Sequence, residues 1–375
     1  MSDTVLRRRA LLQGAAGAVA GIAGVAGAAS CGGPAQRPAA APTHQPGVLT
    51  PPPDSSAFAA FDVVAADRTG LATLMDRLAV RAAAPHAADL TITLAVGAGL
   101  FDARFGLAGQ RPAGLQAMPA FPNDVLAEQW SHGDLLVQVC APQQDAARAV
   151  LADLTQVAGT AAKVRWQLDG FRPENGVDAE GRPTTRNLFG FREGAGNPDP
   201  RDQAEMDRLV WVGGDDGGPS WTRGGTYQVV RLVRFAGVWN TEPVTRQEAV
   251  IGRRKNDGAP LGHSRETEPF DYQADPDGRL IPRDAHIRLA NPRVPSTEAS
   301  RILRRGYSYR LGTDAAGQAD EGLIFVCFQR DIERGFATVQ RRMAGQPLDR
   351  YVLTFGGGYY FVPPDPASFA ALLRA

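Results

Sequence analysis

The segment Gly190–Pro198 combines glycines with an acidic side chain in a pattern suited to acid–base chemistry. It reads Gly-Phe-Arg-Glu-Gly-Ala-Gly-Asn-Pro, so that Glu193 has glycines on both sides. Glycine lets a backbone turn sharply or pass close to a flat ligand, and a carboxylate held in such a turn can take up and release a proton. The same spacing also describes a surface turn that ends in Asn-Pro, and the segment alone leaves both interpretations open.

A second segment carries a histidine among polar and positively charged neighbours. His286 stands in Pro-Arg-Asp-Ala-His-Ile-Arg-Leu-Ala-Asn-Pro-Arg, residues 282–293, and Arg304 follows it by eighteen residues. A neutral imidazole is a good axial ligand for haem iron, and its other nitrogen needs a partner that fixes the ring. Because a lone histidine is often a hydrogen-bonded structural residue, this segment also leaves two roles open.

The composition excludes several classes of protein. The chain has 375 residues, and 40 Lys and Arg balance 40 Asp and Glu, so its formal net charge is zero. A general binder of nucleic acid would carry a basic excess, and we expect no nucleic-acid partner. The three Cys and five His predict neither a disulfide framework nor a cysteine-rich metal site. The length favours two domains.

Residues 1–31 have the layout of an export signal. Arg7, Arg8 and Arg9 precede the uncharged stretch 10–30, which is rich in Gly and Ala and too weakly hydrophobic for a membrane span. The pair Arg8-Arg9 followed by Ala-Leu-Leu resembles a twin-arginine signal, which directs folded proteins across the membrane. We therefore expect a periplasmic or extracellular protein.

The end of the signal leaves two kinds of processing open. Cys31 follows small residues, as at a lipoprotein cleavage site, although Ala28 stands where such sites usually carry Leu. A lipid anchor at Cys31 is one outcome, and ordinary cleavage nearby is the other. Residues 32–55 are rich in Pro, Ala and Gln and predict a flexible tether ahead of the folded part.

The rest of the chain divides into two halves with a repeated order of elements. In residues 56–215 the apolar pattern predicts strand, helix, strand, strand, helix, strand. Residues 133–140 and 321–328 each form an apolar strand that runs into an amphipathic helix, and residues 353–362 predict a final strand pair. The repeat indicates an α+β fold of two ferredoxin-like domains with antiparallel sheets, divided at 215/216. Chance similarity between two strand–helix pairs is the alternative.

The segments that contain Glu193 and His286 both fall in long connections between these elements. The connections span residues 172–222 and 252–300 and are rich in Gly, Pro and charged side chains. Connections of this length in a compact enzyme usually carry function, because a rigid scaffold holds their ends. The regular elements are therefore expected to bring the two segments together.

The ordered set of motifs resembles the dye-decolorising peroxidases. The match covers residues 56–364 and is nearest to the exported branch that includes the deferrochelatase/peroxidase of bacterial iron-uptake systems. Besides the two segments above, the set comprises Gly-Gly-Thr-Tyr-Gln-Val-Val-Arg from Gly224, Ile-Gly-Arg-Arg-Lys from Ile251, Leu-Arg-Arg-Gly-Tyr-Ser-Tyr from Leu303 and Gly-Leu-Ile-Phe-Val-Cys-Phe-Gln from Gly322.

The resemblance implies a fold of the dimeric α+β barrel type, with haem b bound non-covalently in the C-terminal half. The absence of a Cys-x-x-Cys-His motif agrees with non-covalent binding. The family pattern makes His286 the proximal ligand of the iron and Arg304 a distal catalytic residue that also contacts the haem. The further haem contacts that it implies are Gly194, Ala195, Gly196, Asn291, Pro292 and Arg293.

Glu193 departs from the family pattern. Its position in the turn usually holds Asp, which serves as the distal acid–base residue, and the resemblance assigns the same catalytic role to Glu193. Glutamate keeps the carboxyl chemistry but adds one methylene and one rotor. Because small displacements of a reacting group change rates considerably, this substitution bears directly on catalysis.

The resemblance implies a peroxidase that uses hydrogen peroxide to oxidise dyes or phenolic donors by single electrons. It also suggests a homodimer and an association with iron-uptake components. One alternative is a deferrochelatase that releases iron from haem and leaves the porphyrin intact. Another is a non-enzymatic carrier of haem or iron, which would be expected to lack the distal groups Glu193 and Arg304 that this chain has.

Overall fold

The computed structural model describes residues 44–87, 89–173 and 184–375. The predicted export signal, Cys31 and the first part of the predicted tether lie outside the described residues. Within the described ranges, no helix is long and apolar enough to cross a membrane.

The N-terminal half forms the predicted series of strands and helices. Its strands pair antiparallel in the order β2-β3-β1-β4, which is the order of a ferredoxin-like sheet. The helix α1 begins after Asp67, whose side chain accepts a hydrogen bond from the Gly70 N–H. The elements are β1 (Ser55–Val63), α1 (Arg68–Ala83), β2 (Thr91–Gly97), β3 (Leu135–Ala141), α2 (Gln144–Ala158) and β4 (Ala162–Phe171).

The C-terminal half repeats this sheet with longer connections. Four of its strands pair in the order β9-β5-β8-β7, and a π-helical turn, Glu333–Ala337, leads into α6. The elements are α3 (Gln203–Leu209), β5 (Thr226–Phe235), α4 (Val244–Ile251), α5 (His286–Ala290), β6 (Leu303–Arg304), β7 (Tyr307–Thr313), β8 (Ala319–Gln329), α6 (Thr338–Met343), β9 (Val352–Val362) and α7 (Pro366–Arg374).

The two half-sheets join into one closed sheet. β2 pairs with β9 at one junction and β4 pairs with β7 at the other, while β5 pairs with both β9 and β8. Eight strands therefore form a continuous ring, to which the short β6 adds on β8. Cys140 and Cys327 lie on equivalent strands of the two halves, as the repeat predicts. The α+β fold with ferredoxin-like antiparallel sheets is confirmed.

The end of the chain differs from the prediction of a strand pair. Residues 352–362 form the single strand β9, which pairs with β5 along its length across one bulge. The glycines in the middle of this strand lie where other segments of the backbone approach closely. A Cβ on Gly356 would clash with Trp130, and one on Gly357 would clash with the carbonyl of Val230. The helix α7 then packs on α1.

Residues 44–54 are packed against the fold, which corrects the prediction that the flexible tether extends to residue 55. The side chain of Gln45 is buried. Its amide nitrogen donates to the Leu94 and Pro363 carbonyls, and its amide oxygen accepts from the Leu94 N–H. Three hydrogen bonds to distant parts of the chain fix a segment whose Pro-rich composition resembles that of a linker.

A buried ion pair ties the N-terminal half to β5. The Arg231 guanidinium contacts the Asp124 carboxylate at 2.5 and 2.9 Å, and both side chains are less than 5% exposed. Removing one partner of such a pair leaves an uncompensated charge away from water. We expect Asp124→Ala to lower the free energy of unfolding by about 3–5 kcal/mol in urea denaturation.

The matched control for this prediction is Asp62→Ala. Asp62 pairs with Arg165 on the surface, where their side chains are 40% and 28% exposed. Exposed pairs contribute little because water and salt screen them, and we expect a loss of about 1 kcal/mol or less. Equal losses of unfolding free energy in Asp124→Ala and Asp62→Ala would contradict the prediction that the buried pair stabilises the fold more than the surface pair.

Candidate functional site

A cavity of about 310 Å³ lies in the C-terminal half, among β5, β8, α5, α6 and the loop that precedes α3. This volume falls in the range of small-molecule sites. The cavity brings together both segments that the sequence pattern identified. The predicted site residues that line it are Glu193, Gly194, Ala195, Gly196, His286, Asn291, Arg293 and Arg304.

Asn187 holds the acidic turn in place. Its side-chain oxygen accepts hydrogen bonds from the backbone N–H groups of Phe189 and Phe191, at 3.1 and 3.2 Å. Its side-chain nitrogen donates to Glu193 Oε1 at 2.7 Å, while the Glu193 N–H donates to the Thr185 carbonyl. The turn therefore presents a fixed carboxylate to the cavity, and it is not a simple surface turn.

The backbone that follows Glu193 borders open space. Gly194 and Gly196 have φ values of +90° and +79°, in the left-handed region that favours glycine. In the described part of the chain, no heavy atom beyond the adjoining residues lies within 4 Å of the position that a Cβ would take at either residue. The cavity wall is bare backbone here, so that a flat ligand can approach it closely.

Arg304 is held at this wall by Asn197 and Ala195. Asn197 Oδ1 accepts from Arg304 N and Nε at 3.2 and 3.1 Å, and Asn197 Nδ2 donates to the Arg304 carbonyl at 2.8 Å. Arg304 Nη2 donates to the Ala195 carbonyl at 2.7 Å. Burial lowers the pKa of Arg304, and the nearby Glu193 opposes that shift. The guanidinium remains charged at neutral pH, as arginine does in proteins.

His286 begins α5 and lines the same cavity. Its Nδ1 lies 2.9 Å from Gln346 Oε1, which is an acceptor, so the ring carries its proton on Nδ1 and leaves the Nε2 lone pair for a metal. Burial lowers the pKa of His286, although the hydrogen bond to Gln346 acts in the opposite direction. A neutral ring with its lone pair on Nε2 can serve as a metal ligand. Asp284, its acidic neighbour in sequence, is exposed.

A cationic group of residues forms another part of the cavity wall. Burial, together with the charge of Arg293, lowers the pKa of Arg253 to about 10. Arg293 has φ +57° and lies over the Phe270 ring at 3.8 Å. Among the described residues the buried hydroxyl of Tyr272 has no hydrogen-bond partner, and burial raises its pKa to about 12. Two like charges and an unsatisfied hydroxyl together suit an anionic ligand group.

Pro292 is not among the residues that line this cavity, and its predicted contact with haem stays a prediction. It lines a second pocket, together with Tyr272 and Arg288. A local turn separates it from its neighbours: the Arg293 N–H donates to Asn291 Oδ1, and Arg293 takes the left-handed conformation. Asn291 and Arg293 line the cavity while Pro292 lines the second pocket.

The positioning residues Asn187, Asn197 and Gln346 were missed by sequence reasoning. Asn197 precedes a proline in the glycine-rich segment, and this is the one signal that could have marked it. Gln346 lies 60 residues from its histidine partner, in a connection without periodicity. Their roles depend on contacts that only the folded chain creates.

Two family models match this chain, and both describe the Dyp-type peroxidases. The N-terminal model matches residues 45–172, and the C-terminal model matches residues 184–367. The acidic turn therefore belongs to the C-terminal match, although the predicted domain division placed it in the N-terminal half.

Curated relatives and solved structures agree with these matches. The deferrochelatases of Escherichia coli K12 and Shigella flexneri are each 43% identical over 348 residues, which cover 86% of this chain and 82% and 83% of theirs. A DyP-type peroxidase from Streptomyces coelicolor has 36% identity and a TM-score of 0.77, with 86% of this chain and 91% of that one covered. Ferric DtpA from Streptomyces lividans has 35% identity and a TM-score of 0.79, with 89% and 96% covered.

The site and the matches point to one family. Family models cover most of the chain, and relatives of more than 30% identity align along 82% and 96% of their length. The resemblance seen in the ordered motifs is confirmed. The chain belongs to the Dyp-type peroxidases, a family of haem-dependent enzymes.

Proposed function

We propose that the protein is a haem b peroxidase that uses hydrogen peroxide to oxidise dyes or phenolic donors by single electrons. The observation that carries this proposal is the shared cavity, in which a neutral His286 is combined with a half-buried Arg304 and a fixed Glu193. These are the groups needed to hold iron, to stabilise negative charge and to transfer a proton.

The residues present fit haem b. His286 Nε2 is available to the iron, and the bare backbone at Gly194 and Gly196 leaves room for a flat macrocycle. Arg253, with Arg293 and Tyr272, offers charge and hydrogen-bond capacity to the two carboxylates that haem b carries. When bound, haem would supply the iron that reacts with peroxide, and it would hold the two oxidising equivalents that peroxide provides until donors consume them.

Glu193 and Arg304 have distinct roles in this proposal. Asn187 occupies Glu193 Oε1, so Oε2 is the atom that takes a proton from hydrogen peroxide and returns it to the departing oxygen. The Arg304 guanidinium, fixed through Asn197, stabilises the negative charge that develops as the O–O bond breaks. Fixed donors need no reorganisation during the reaction, which is the source of their effect.

The test is a spectrum of the purified protein with haem, followed by peroxide-dependent oxidation of a dye and of a phenol. We expect a Soret band at one haem per chain and donor oxidation that requires peroxide. Stoichiometric haem with no turnover of either donor would contradict the proposal and favour a carrier of haem or iron.

A second candidate function is release of iron from haem with the porphyrin left intact. The observation in its favour is the name of the curated relatives, which are deferrochelatases at 43% identity. Mass spectrometry of the reaction mixture separates the two functions, because only the second yields free protoporphyrin. The same cavity would serve both reactions.

We further propose that the protein is exported by the twin-arginine route to the periplasm or the cell exterior. The arginine pair at residues 8 and 9 and the uncharged stretch after it support this proposal. The mass of the mature N-terminus separates a lipid anchor at Cys31 from ordinary cleavage. A homodimer and an association with iron-uptake components are proposed on the family resemblance alone, and light scattering of the purified protein tests the dimer.

A further inference from the structure

The partner of the His286 ring is a buried, neutral amide. Gln346 Oε1 lies 2.9 Å from His286 Nδ1, and the Gln346 residue is 7% exposed. Its backbone N–H donates to the Met343 carbonyl at 3.1 Å. Before it, Gly345 has φ +80° and its N–H donates to Asp349 Oδ2. Gln346 therefore stands in a defined turn between α6 and β9, and its side chain is held against the imidazole.

The carboxylate whose charge acts on His286, Asp349, does not take the place of this amide. Asp349 raises the pKa of His286 through its charge, but its Oδ2 accepts from Gly345. The charge of Arg304 has the opposite effect and lowers the pKa of the same ring. The direct acceptor of the Nδ1 proton is thus uncharged, and the two nearby charges act on the ring in opposite directions.

The nature of this acceptor matters for a ligand of iron. A metal-bound histidine commonly donates its second N–H to a carboxylate, a carbonyl or water, and a carboxylate raises the basicity of the ligand. An amide oxygen accepts the same hydrogen bond without a negative charge, and such a bond is weaker than a charge-assisted one. Hydrogen bonding beyond the ligand is one means by which a protein sets the reduction potential of haem.

We propose that Gln346 is a positioning residue that fixes the imidazole through an uncharged hydrogen bond and thereby keeps His286 a weakly electron-donating ligand. This inference rests on the proposed haem function. Its consequence is that the ferric/ferrous potential of the bound haem is higher than it would be with a carboxylate at residue 346. Gln346 would thus act on the electron density at the iron through His286.

The test compares Gln346→Glu with the unchanged protein, both loaded with haem. Glutamate has almost the shape of glutamine and retains an acceptor oxygen, so the hydrogen bond is kept while its charge changes. Spectroelectrochemistry measures the ferric/ferrous potential, and resonance Raman measures the iron–histidine stretch in the ferrous form. We expect Gln346→Glu to lower the potential and to raise the stretching frequency.

A matched control is Gln340→Glu, which also adds a carboxylate to the wall of the cavity but not at the position that contacts His286. We expect this variant to leave the iron–histidine frequency unchanged. A second variant, Gln346→Leu, removes the acceptor, and we expect it to lower the frequency. The iron–histidine frequency should thus shift in opposite directions in Gln346→Leu and Gln346→Glu.

The outcomes separate this inference from the proposed function. If the unchanged protein binds no haem, both fail together. If it binds haem and turns over peroxide, but Gln346→Glu shifts the potential and the frequency no more than Gln340→Glu does, the positioning role of Gln346 alone is overturned. Opposite shifts of the stretch in the Glu and Leu variants support it, because a purely structural role would move both variants in one direction.

Discussion

His286→Ala is expected to abolish stoichiometric haem binding. The imidazole is the neutral ring in the cavity whose Nε2 is left for iron, since Nδ1 is occupied by Gln346. Loss of a residue that only supports a ligand typically costs about 10–100-fold in metal affinity, and loss of the ligand itself should cost more. Titration with haem, read from the Soret band and from the haem content of the desalted protein, measures the effect.

The control for this prediction is His263→Ala. His263 is hydrogen-bonded to Glu268 at 3.2 Å and does not line the cavity. We expect this variant to retain the haem content and the spectrum of the unchanged protein. If His286→Ala retained full haem content with an unchanged Soret band, the assignment of the iron ligand would be wrong.

The second large effect is expected at Arg304. Replacing a fixed donor that stabilises developing negative charge typically slows a reaction by about 10²–10³-fold. We expect Arg304→Leu to slow peroxide consumption by about this factor while haem is still bound. Stopped-flow mixing of the haem-loaded protein with peroxide provides the rate. Arg310→Leu is the control, because Arg310 is exposed and pairs with Glu321 outside the cavity.

Glu193→Gln tests the acid–base role in the same experiment. A positioned acid–base group contributes about 10²–10⁴-fold to a rate, and glutamine keeps the contact with Asn187 but cannot accept the proton in the same way. A slow Glu193→Gln variant would show that glutamate serves where the family usually has aspartate. If Arg304→Leu consumes peroxide slowly and Glu193→Gln does not, the Glu193 carboxylate takes no part in the proton transfer.

Much of the fold could be predicted because its elements carry strong local patterns. The apolar run at residues 133–140, for example, predicts a strand that continues into an amphipathic helix, and the structure has β3 followed by α2 at this place. The prediction failed where distant contacts override local composition. The three hydrogen bonds of Gln45, to residues 49 and 318 positions away, order a Pro-rich segment, and close neighbours keep the glycines of β9 within one strand.

The site was predictable to the extent that its residues stand in ordered motifs. His286, Glu193 and Arg304 lie in such motifs, and all three line one cavity. The residues that orient them do not share this property. Asn187 and Gln346 each act through one amide group, and nothing in their sequence surroundings shows which partner that group meets. Polar residues in connections follow no regular hydrophobic spacing, so the sequence does not show which residues they contact.

The closed sheet has a consequence for the order in which the chain can fold. The strand that joins β2 to β5 is β9, and the other seven strands of the ring precede it in sequence. During synthesis from the N-terminus, the ring therefore cannot close until all seven of them have been made. Until then the edge of β2 lacks its partner, and unpaired edges favour aggregation. Gln346 lies between α6 and β9, so the cavity also acquires this positioning group only after the other strands of the ring have been made.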